Sequence, residues 1–286
     1  MSKPLGNDAW WDQTWNPIGG CTRVSRGCAL CYAAQLAGTY TWPTGEAALH
    51  HGVTRARGRR RIFNGTLTVV PAGHPTWTWP LDWCGAPQPV LGNGQPSLIF
   101  VADMSDLFHE NRQAQIINRV CATIAFSAHI GLLLTKRAAR MARYFAAQSP
   151  RTVHRWQSKL WLGFSAERQQ EFDQRWTNMR PLADAGWTIY TSIAPMIGPV
   201  ILPPDFLALR DRAWVIVAGE QGPHRLCRDM QPNWARAIRD QCAASGIAFF
   251  MKQMARKEPI PPDLLIRNFP SPASLATWKP CRVDGC

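Results

Sequence analysis

Acidic residues are missing from two long stretches of this chain. None occurs between Glu46 and Asp82, where Arg55, Arg57, Arg59, Arg60 and Arg61 stand. None occurs between Glu110 and Glu167, a stretch that holds Arg112, Arg119, Lys136, Arg137, Arg140, Arg143, Arg151, Arg155 and Lys159. Apolar runs are also short: Ile130–Leu134 falls far below the roughly 20 residues of a membrane span, so no membrane partner is expected. Met1–Asp8 lacks the basic-then-apolar pattern of a secretory leader, and a cytoplasmic location is the expectation. No Gly-rich loop ends in Lys-Ser/Thr and no Gly-x-Ser-x-Gly elbow occurs, which removes the common nucleotide-phosphate and serine-hydrolase signatures. Gly92-Asn93-Gly94 precedes a strand instead of following one and reads as a turn.

What is present defines a globular protein. The 286 residues are 46% hydrophobic and 18% charged, and 14 Trp with 11 Phe are far too many for a disordered chain. The net charge of +13 favours a polyanionic partner, with nucleic acid first and DNA ahead of RNA. The acid-free stretches make Arg55, Arg57, Arg59, Arg60, Arg61, Arg137 and Arg140 the candidates for phosphate contact.

Short β-rich runs recur at Thr66–Val70, Leu98–Ala102, Ile130–Thr135, Leu160–Ser165, Thr188–Ser192, Val215–Ala218 and Ile247–Met251, about 30 residues apart, the length of a strand–helix unit. They are continuously apolar, as parallel strands covered on both faces must be. Helical spacing lies between them at Arg112–Phe126, Arg168–Leu182 and Pro232–Ser245. With a strand near Trp10–Trp15 the count is eight, which predicts an α/β fold: a (β/α) barrel of TIM type, complete or partial, ahead of an open doubly wound sheet. Tyr40–Arg61 and Gly73–Pro96 read as loop insertions. Residues 1–258 form one domain, and 259–286, rich in proline, form an irregular extension.

In such a barrel the residues just past each strand build the site. They are Cys21, Cys28 and Cys31; Asp103, Ser105, Asp106 and His109; Thr135, Lys136 and Arg137; Ser165 and Glu167; Ser192; Gly219 and Glu220; and Lys252 and Gln253. Of these, Lys136, Glu220 and Lys252 are the candidates for catalysis, and Asp103, Ser105, Asp106, Thr135, Ser165, Glu167, Ser192 and Gly219 for holding a cofactor. Cys21, Cys28 and Cys31 are spaced C-x6-C-x2-C, close enough to converge on one inorganic centre. Three readings stand: a four-iron cluster with one iron free of protein, a zinc site lacking its usual fourth ligand, or neither. His50 and His51 are adjacent and do not make a zinc pair. Cys84, Cys121, Cys227 and Cys242 are isolated, with Cys121 and Cys242 on helical faces where a buried thiol is expected.

Beyond these patterns, Trp15-Asn16-Pro17, Gly20-Cys21-Thr22, Ser25-Arg26-Gly27-Cys28 and Cys31-Tyr32-Ala33 stand in order with Met104-Ser105-Asp106-Leu107-Phe108-His109, Leu134-Thr135-Lys136-Arg137, Trp161-Leu162-Gly163, Trp214-Val215-Ile216-Val217, Gly219-Glu220-Gln221-Gly222-Pro223 and Phe249-Phe250-Met251-Lys252-Gln253. Through these motifs the chain resembles a phage and prophage family known for three cysteines, itself similar to radical S-adenosylmethionine enzymes, although the spacing is not their usual C-x3-C-x2-C. The resemblance implies a [4Fe-4S] cluster on Cys21, Cys28 and Cys31, S-adenosylmethionine as cofactor, Gly219 and Glu220 at the cofactor or substrate site, and an electron donor such as flavodoxin or ferredoxin in the host bacterium. Where a Ser-x-Glu-Pro pattern would be expected, the chain has Ser192-Ile193-Ala194-Pro195, so a carboxylate is missing from that strand end. Together these features suggest radical remodelling, by isomerisation or rearrangement, of a substituent on a nucleobase of phage DNA or of a nucleotide. The rival reading is a non-catalytic nucleic-acid-binding protein with structural zinc or a structural cluster.

Overall fold

The computed structural model describes residues 9–40, 48–222, 224–271 and 275. Its centre is a seven-stranded parallel sheet. The chain enters it at β1 (Gln13–Trp15) and leaves for a small antiparallel pair, β2 (Ile18–Gly19) with β5 (Thr68–Val69), which brackets the hairpin β3 (Thr54–Arg57) and β4 (Arg60–Phe63). It then runs through β6 (Leu98–Val101), β7 (Ile130–Thr135), β8 (Leu160–Ala166), β9 (Ile189–Ile193), β10 (Ala213–Ala218) and β11 (Ala248–Gln253). In space the order is β1-β6-β7-β8-β9-β10-β11, all parallel.

A strand order that never reverses sends every crossover to the same side, so the sheet curls with its helices outside. Because β1 and β11 do not pair, the result is a half-barrel and not a closed one. The expected strand at Thr66–Val70 is not part of it: only Thr68–Val69 is extended, and it pairs antiparallel with Ile18–Gly19. The physical reason is the proline- and glycine-rich stretch that follows, which supplies no crossover helix long enough to return that segment parallel to β6.

Helices α1 (Tyr32–Ala37) and α2 (Trp79–Asp82) are short; α3 (Ala114–Phe126), α4 (Ala138–Ala146), α5 (Pro150–Gln157) and α6 (Gln169–Asp184) follow, then α7 (Pro204–Leu207) and α8 (Pro232–Ser245). Gly246, at φ +71°, closes α8 in the left-handed conformation that glycine adopts without strain. Helices α4 and α5 lie inside the second acid-free stretch, where charge obscures their apolar stripe of Met141, Phe145 and Trp156. Ser149 starts α5, its Oγ accepting from the Thr152 amide before Pro150 in the first turn. The proline-rich tail lies along β11: Met251 donates to Ile266 O and Asn268 to Phe249 O, which covers an otherwise bare strand edge.

Side chains alternate across each strand, and the two faces have different fates. Ile99, Val101, Leu133, Leu162, Phe164, Val215 and Val217 face outward into the main core beneath the helices. On the concave side Leu98, Leu132, Trp161, Tyr190, Trp214 and Phe250 join Trp10 in a second core. Trp214 makes edge contacts with Trp10, Trp161 and Phe250 at centroid separations of 5.9, 6.2 and 6.0 Å. This aromatic plug fills the half-barrel toward the N-terminal ends of the strands and leaves the C-terminal ends open. Gly163 permits it, because a Cβ there would run into the fully buried Tyr190 ring. Gly163→Ala is therefore expected to lower unfolding stability by about 1–3 kcal/mol through overpacking, read as a lower midpoint in urea with unchanged slope.

Candidate functional site

The open end of the half-barrel is a cavity of about 2500 Å³. Across it runs the loop that begins after β2. Gly20, at φ +81°, starts the loop where a Cβ would strike the carbonyl of Thr66. A single helical turn, Arg26–Cys28, and the start of α1 at Cys31 then bring the cysteines round, so that Cys21, Cys28 and Cys31 all line the cavity. Burial pushes the Cys21 thiol up to about 12, with Asp106 and the other two cysteines adding to the rise and Arg137 opposing it. Burial also raises Cys31, against the amides of Ala34 and Ala33 that stabilise its thiolate. Among the described residues no group of three or more His, Cys, Asp or Glu is set to hold a single metal ion.

Three buried carboxylates, from three different strand ends, hold this loop. After β6, Asp106 accepts from Thr135 Oγ1 at 2.7 Å and from Arg137 Nη1 at 3.0 Å. Arg137 in turn reaches the loop, donating to Thr22 Oγ1 at 2.7 Å and approaching Cys21 Sγ at 3.6 Å. Burial works against the Arg137 charge, but Asp106, Cys21 and Glu110 outweigh it and hold the guanidinium protonated. After β8, Glu167 accepts from Ser25 Oγ at 2.6 Å and from Arg175 Nη1 at 2.9 Å. Glycine at position 27 lets this carboxylate in, since a Cβ there would overlap it. After β10, Glu220 accepts from Arg228 through its main-chain N and its Nε, both at 2.9 Å, and Arg228 Nη2 donates to Arg26 O at 3.1 Å. Ser105 adds a fourth tie, donating to Gly20 O at 2.5 Å.

The strand-end residues therefore divide into two sets. Ser105, Asp106, Thr135, Glu167 and Glu220 make the bonds that hold the loop, and all but Glu167 also line the cavity. Asp103, Lys136, Ser165, Ser192 and Lys252 do line it and keep polar groups toward it. Asp103 accepts from Asn16 Nδ2 at 2.6 Å, and burial raises its pKa. Burial also pushes the Lys252 ammonium down to about 8, with Asp103 opposing the shift, and its Nζ lies 5.6 Å from the Trp11 ring centroid. Gly219 belongs to the wall, where a Cβ would strike the backbone of Ala255. His109 is buried behind the loop, with Nε2 2.8 Å from Thr22 Oγ1. Ala194 lines the cavity at the end of β9, where the resemblance led to an expected carboxylate.

The arginines grouped as phosphate contacts separate in the same way. Arg137 is enclosed in the Asp106–Glu110 pair, and Arg140 turns inward to the carbonyl of Arg112, so neither presents a free guanidinium to a phosphate. Arg55, Arg57 and Arg59 are exposed on the β3–β4 hairpin, with Arg60 partly so, while Arg61 Nε donates to Thr54 Oγ1. Ser25, Arg175 and Arg228 were invisible in sequence reasoning: Ser25 meets Glu167 across 142 positions and Arg228 meets Arg26 across 202, while Arg175, only eight from Glu167, carries no motif of its own; only the dense Ser-Arg-Gly-Cys motif hinted at a constrained loop. Cys121, Cys227 and Cys242 are buried free thiols, whereas Cys84, which reads as isolated in the sequence, is disulfide-bonded. Cys281 and Cys286 lie outside the described residues. No helix among the described residues is long and apolar enough to cross a membrane.

A family model described as a protein of unknown function (DUF5131) matches residues 7–261, and the chain belongs to that family. No curated protein and no solved structure matches it.

Removing Glu167 by Ala would leave Arg175 buried without its partner, and a loss of about 3–5 kcal/mol in denaturant unfolding is expected, against about 1 kcal/mol for Ser25→Ala. A second test concerns His50, buried on the cavity wall with an unpartnered Nδ1 and held neutral by burial, its pKa down to about 4. The unfolded chain takes up that proton first, so stability is full above pH ~6.5 and falls by up to about 3 kcal/mol as pH drops toward ~4. His50→Leu should flatten that limb of the stability–pH curve.

Proposed function

We propose that this protein is a radical S-adenosylmethionine enzyme that isomerises or rearranges a substituent on a nucleobase. The observation that supports this reading is that Cys21, Cys28 and Cys31, all from one clamped loop, line the open end of the half-barrel. The donor set suits a [4Fe-4S] cluster held at three corners better than a lone tetrahedral ion, which takes four protein ligands. Cys21, Cys28 and Cys31 would hold the cluster, and Gly27, with no side chain, lets Glu167 brace the turn behind it. Bound there and reduced by a donor such as flavodoxin or ferredoxin, such a cluster would supply one-electron reductive cleavage of S-adenosylmethionine, giving methionine and a 5′-deoxyadenosyl radical.

The remaining work belongs to the chain's own groups. Lys136 and Lys252 offer ammonium groups on the cavity wall for an anionic group of cofactor or substrate. Ser165 and Ser192, paired in register on β8 and β9, offer hydroxyls to a sugar or a base edge. Asp103, held by Asn16 and opposite Lys252, can accept from an amino group. The aromatic plug below keeps water from entering through the bottom of the half-barrel, which a reactive carbon radical requires.

Anaerobic reconstitution with iron and sulfide tests the proposal. A brown protein that converts S-adenosylmethionine to 5′-deoxyadenosine under reducing conditions is the expected result; stoichiometric zinc and no turnover would overturn it. Ala at Cys21, Cys28 or Cys31 should abolish cluster absorbance and turnover together. Glu220→Gln, which removes the charge that holds Arg228 against the loop, should lower turnover or cluster retention about 10–100-fold.

A further inference from the structure

We infer that the β3–β4 hairpin is a docking ribbon for the phosphodiester backbone of a polynucleotide, so that the cavity receives a base still joined to its chain and not a free nucleotide. What enters the cavity rests on the base-directed reading above; the docking itself does not.

The argument starts from register. Arg57 and Arg60 are direct cross-strand partners, and Arg55 is paired with Ile62. Partners in an antiparallel pair share a face, and so do residues two apart, so Arg55, Arg57 and Arg60 project together, with Arg59 at the tip beside Gly58, whose φ is +60°. Like charges placed directly opposite destabilise a hairpin. Among the described residues Arg55, Arg57, Arg59 and Arg60 have no carboxylate partner, and the sequence carries no acid between Glu46 and Asp82. An arrangement that is unfavourable alone becomes favourable against a row of phosphates.

The opposite face of the ribbon is fixed. Phe63 packs with Val53 against Ala33, Ala37 and Met104. Gln35 of α1 locks the strand through both its amide atoms, donating to Arg61 O at 2.7 Å and accepting from Arg61 N at 3.1 Å. Cys31 is the N-cap of helix α1, and Phe63 itself lines the cavity, so the arginine face and the cavity wall belong to one rigid piece. Arg55 and Arg57 stand about 7 Å apart along the strand, a spread that one phosphate cannot cover. The cavity, at about 2500 Å³, exceeds the ~300–1,000 Å³ typical of small-ligand pockets. Phosphate contacts of this kind position a nucleic acid without reading its sequence.

The test is fluorescence anisotropy with a short labelled DNA, single-stranded and duplex, over a salt series. In wild type log K should fall linearly with log salt; in the Arg57→Ala, Arg60→Ala double variant the slope should shrink by about 2, whatever the base sequence. The melting temperature of the variant should be equal to or above that of wild type, since the opposed charges are gone, which separates lost docking from lost folding. An unchanged slope, or equal arginine-dependent binding to polyglutamate, overturns the inference. 5′-Deoxyadenosine formation is measured on the same variant: turnover that persists while the slope is unchanged sinks the docking alone, whereas docking without turnover in any variant sinks the radical reading alone.

Discussion

Three carboxylates buried at the ends of β6, β8 and β10 hold the cysteine loop, and the site depends on them. Asp106 acts through Arg137 on Thr22 and Cys21, Glu167 acts directly on Ser25, and Glu220 acts through Arg228 on the carbonyl of Arg26. Buried ion pairs are poor sources of net stability, because desolvation consumes most of the attraction. Their value here is geometric. A loop of glycine, serine and cysteine has little apolar surface to bury, so packing alone cannot specify where its sulfurs sit. Charge-assisted hydrogen bonds, short and directional, do so.

The clamps work only because the scaffold beneath them is rigid and one-sided. Seven parallel strands in unbroken order put every long crossover helix on the convex face, and the concave face must then be filled or left open. Trp10, Trp161, Tyr190, Trp214 and Phe250 fill its lower half. The upper half, where the strands end, carries the polar side chains. The same strand can thus present Trp161 to the plug and Ser165 to the cavity, four residues further along the same face. This division also explains the depressed Lys252 ammonium, placed above an apolar floor and beside Trp11, with Asp103 as its compensating charge.

Much of this was legible in the residues. The apolar runs at β6 through β11 are strong signals because strands covered on both faces need no alternation, and Pro232–Ser245 carries both its start and its stop. The residues just past these strands follow from knowing where each strand ends, and most of them line the cavity. What each one bonds to was not legible. Glu220, read as catalytic, pairs with Arg228, and Glu167, read as a cofactor ligand, with Arg175, each eight positions along the chain, and the two pairs reach the loop across separations of 202 and 142 positions. Arg137 reads as one more member of a basic run until Asp106 and Glu110 close around it. The strand expected at Thr66–Val70 failed for a related reason: a β-rich run of five residues announces a strand but not how much of it is extended or which sheet it joins.

Local sequence alone thus decided the strands and the main helices, the three cysteines and the basic surplus, because each depends on residues within a turn or two of one another. The half-open sheet, the plug, the choice between holding the loop and facing the cavity, and the separation of the hairpin arginines from the buried ones were decided only in three dimensions. Each of those depends on which distant charge or ring arrives alongside, and burial and ion pairing between remote segments leave no periodic mark on the chain.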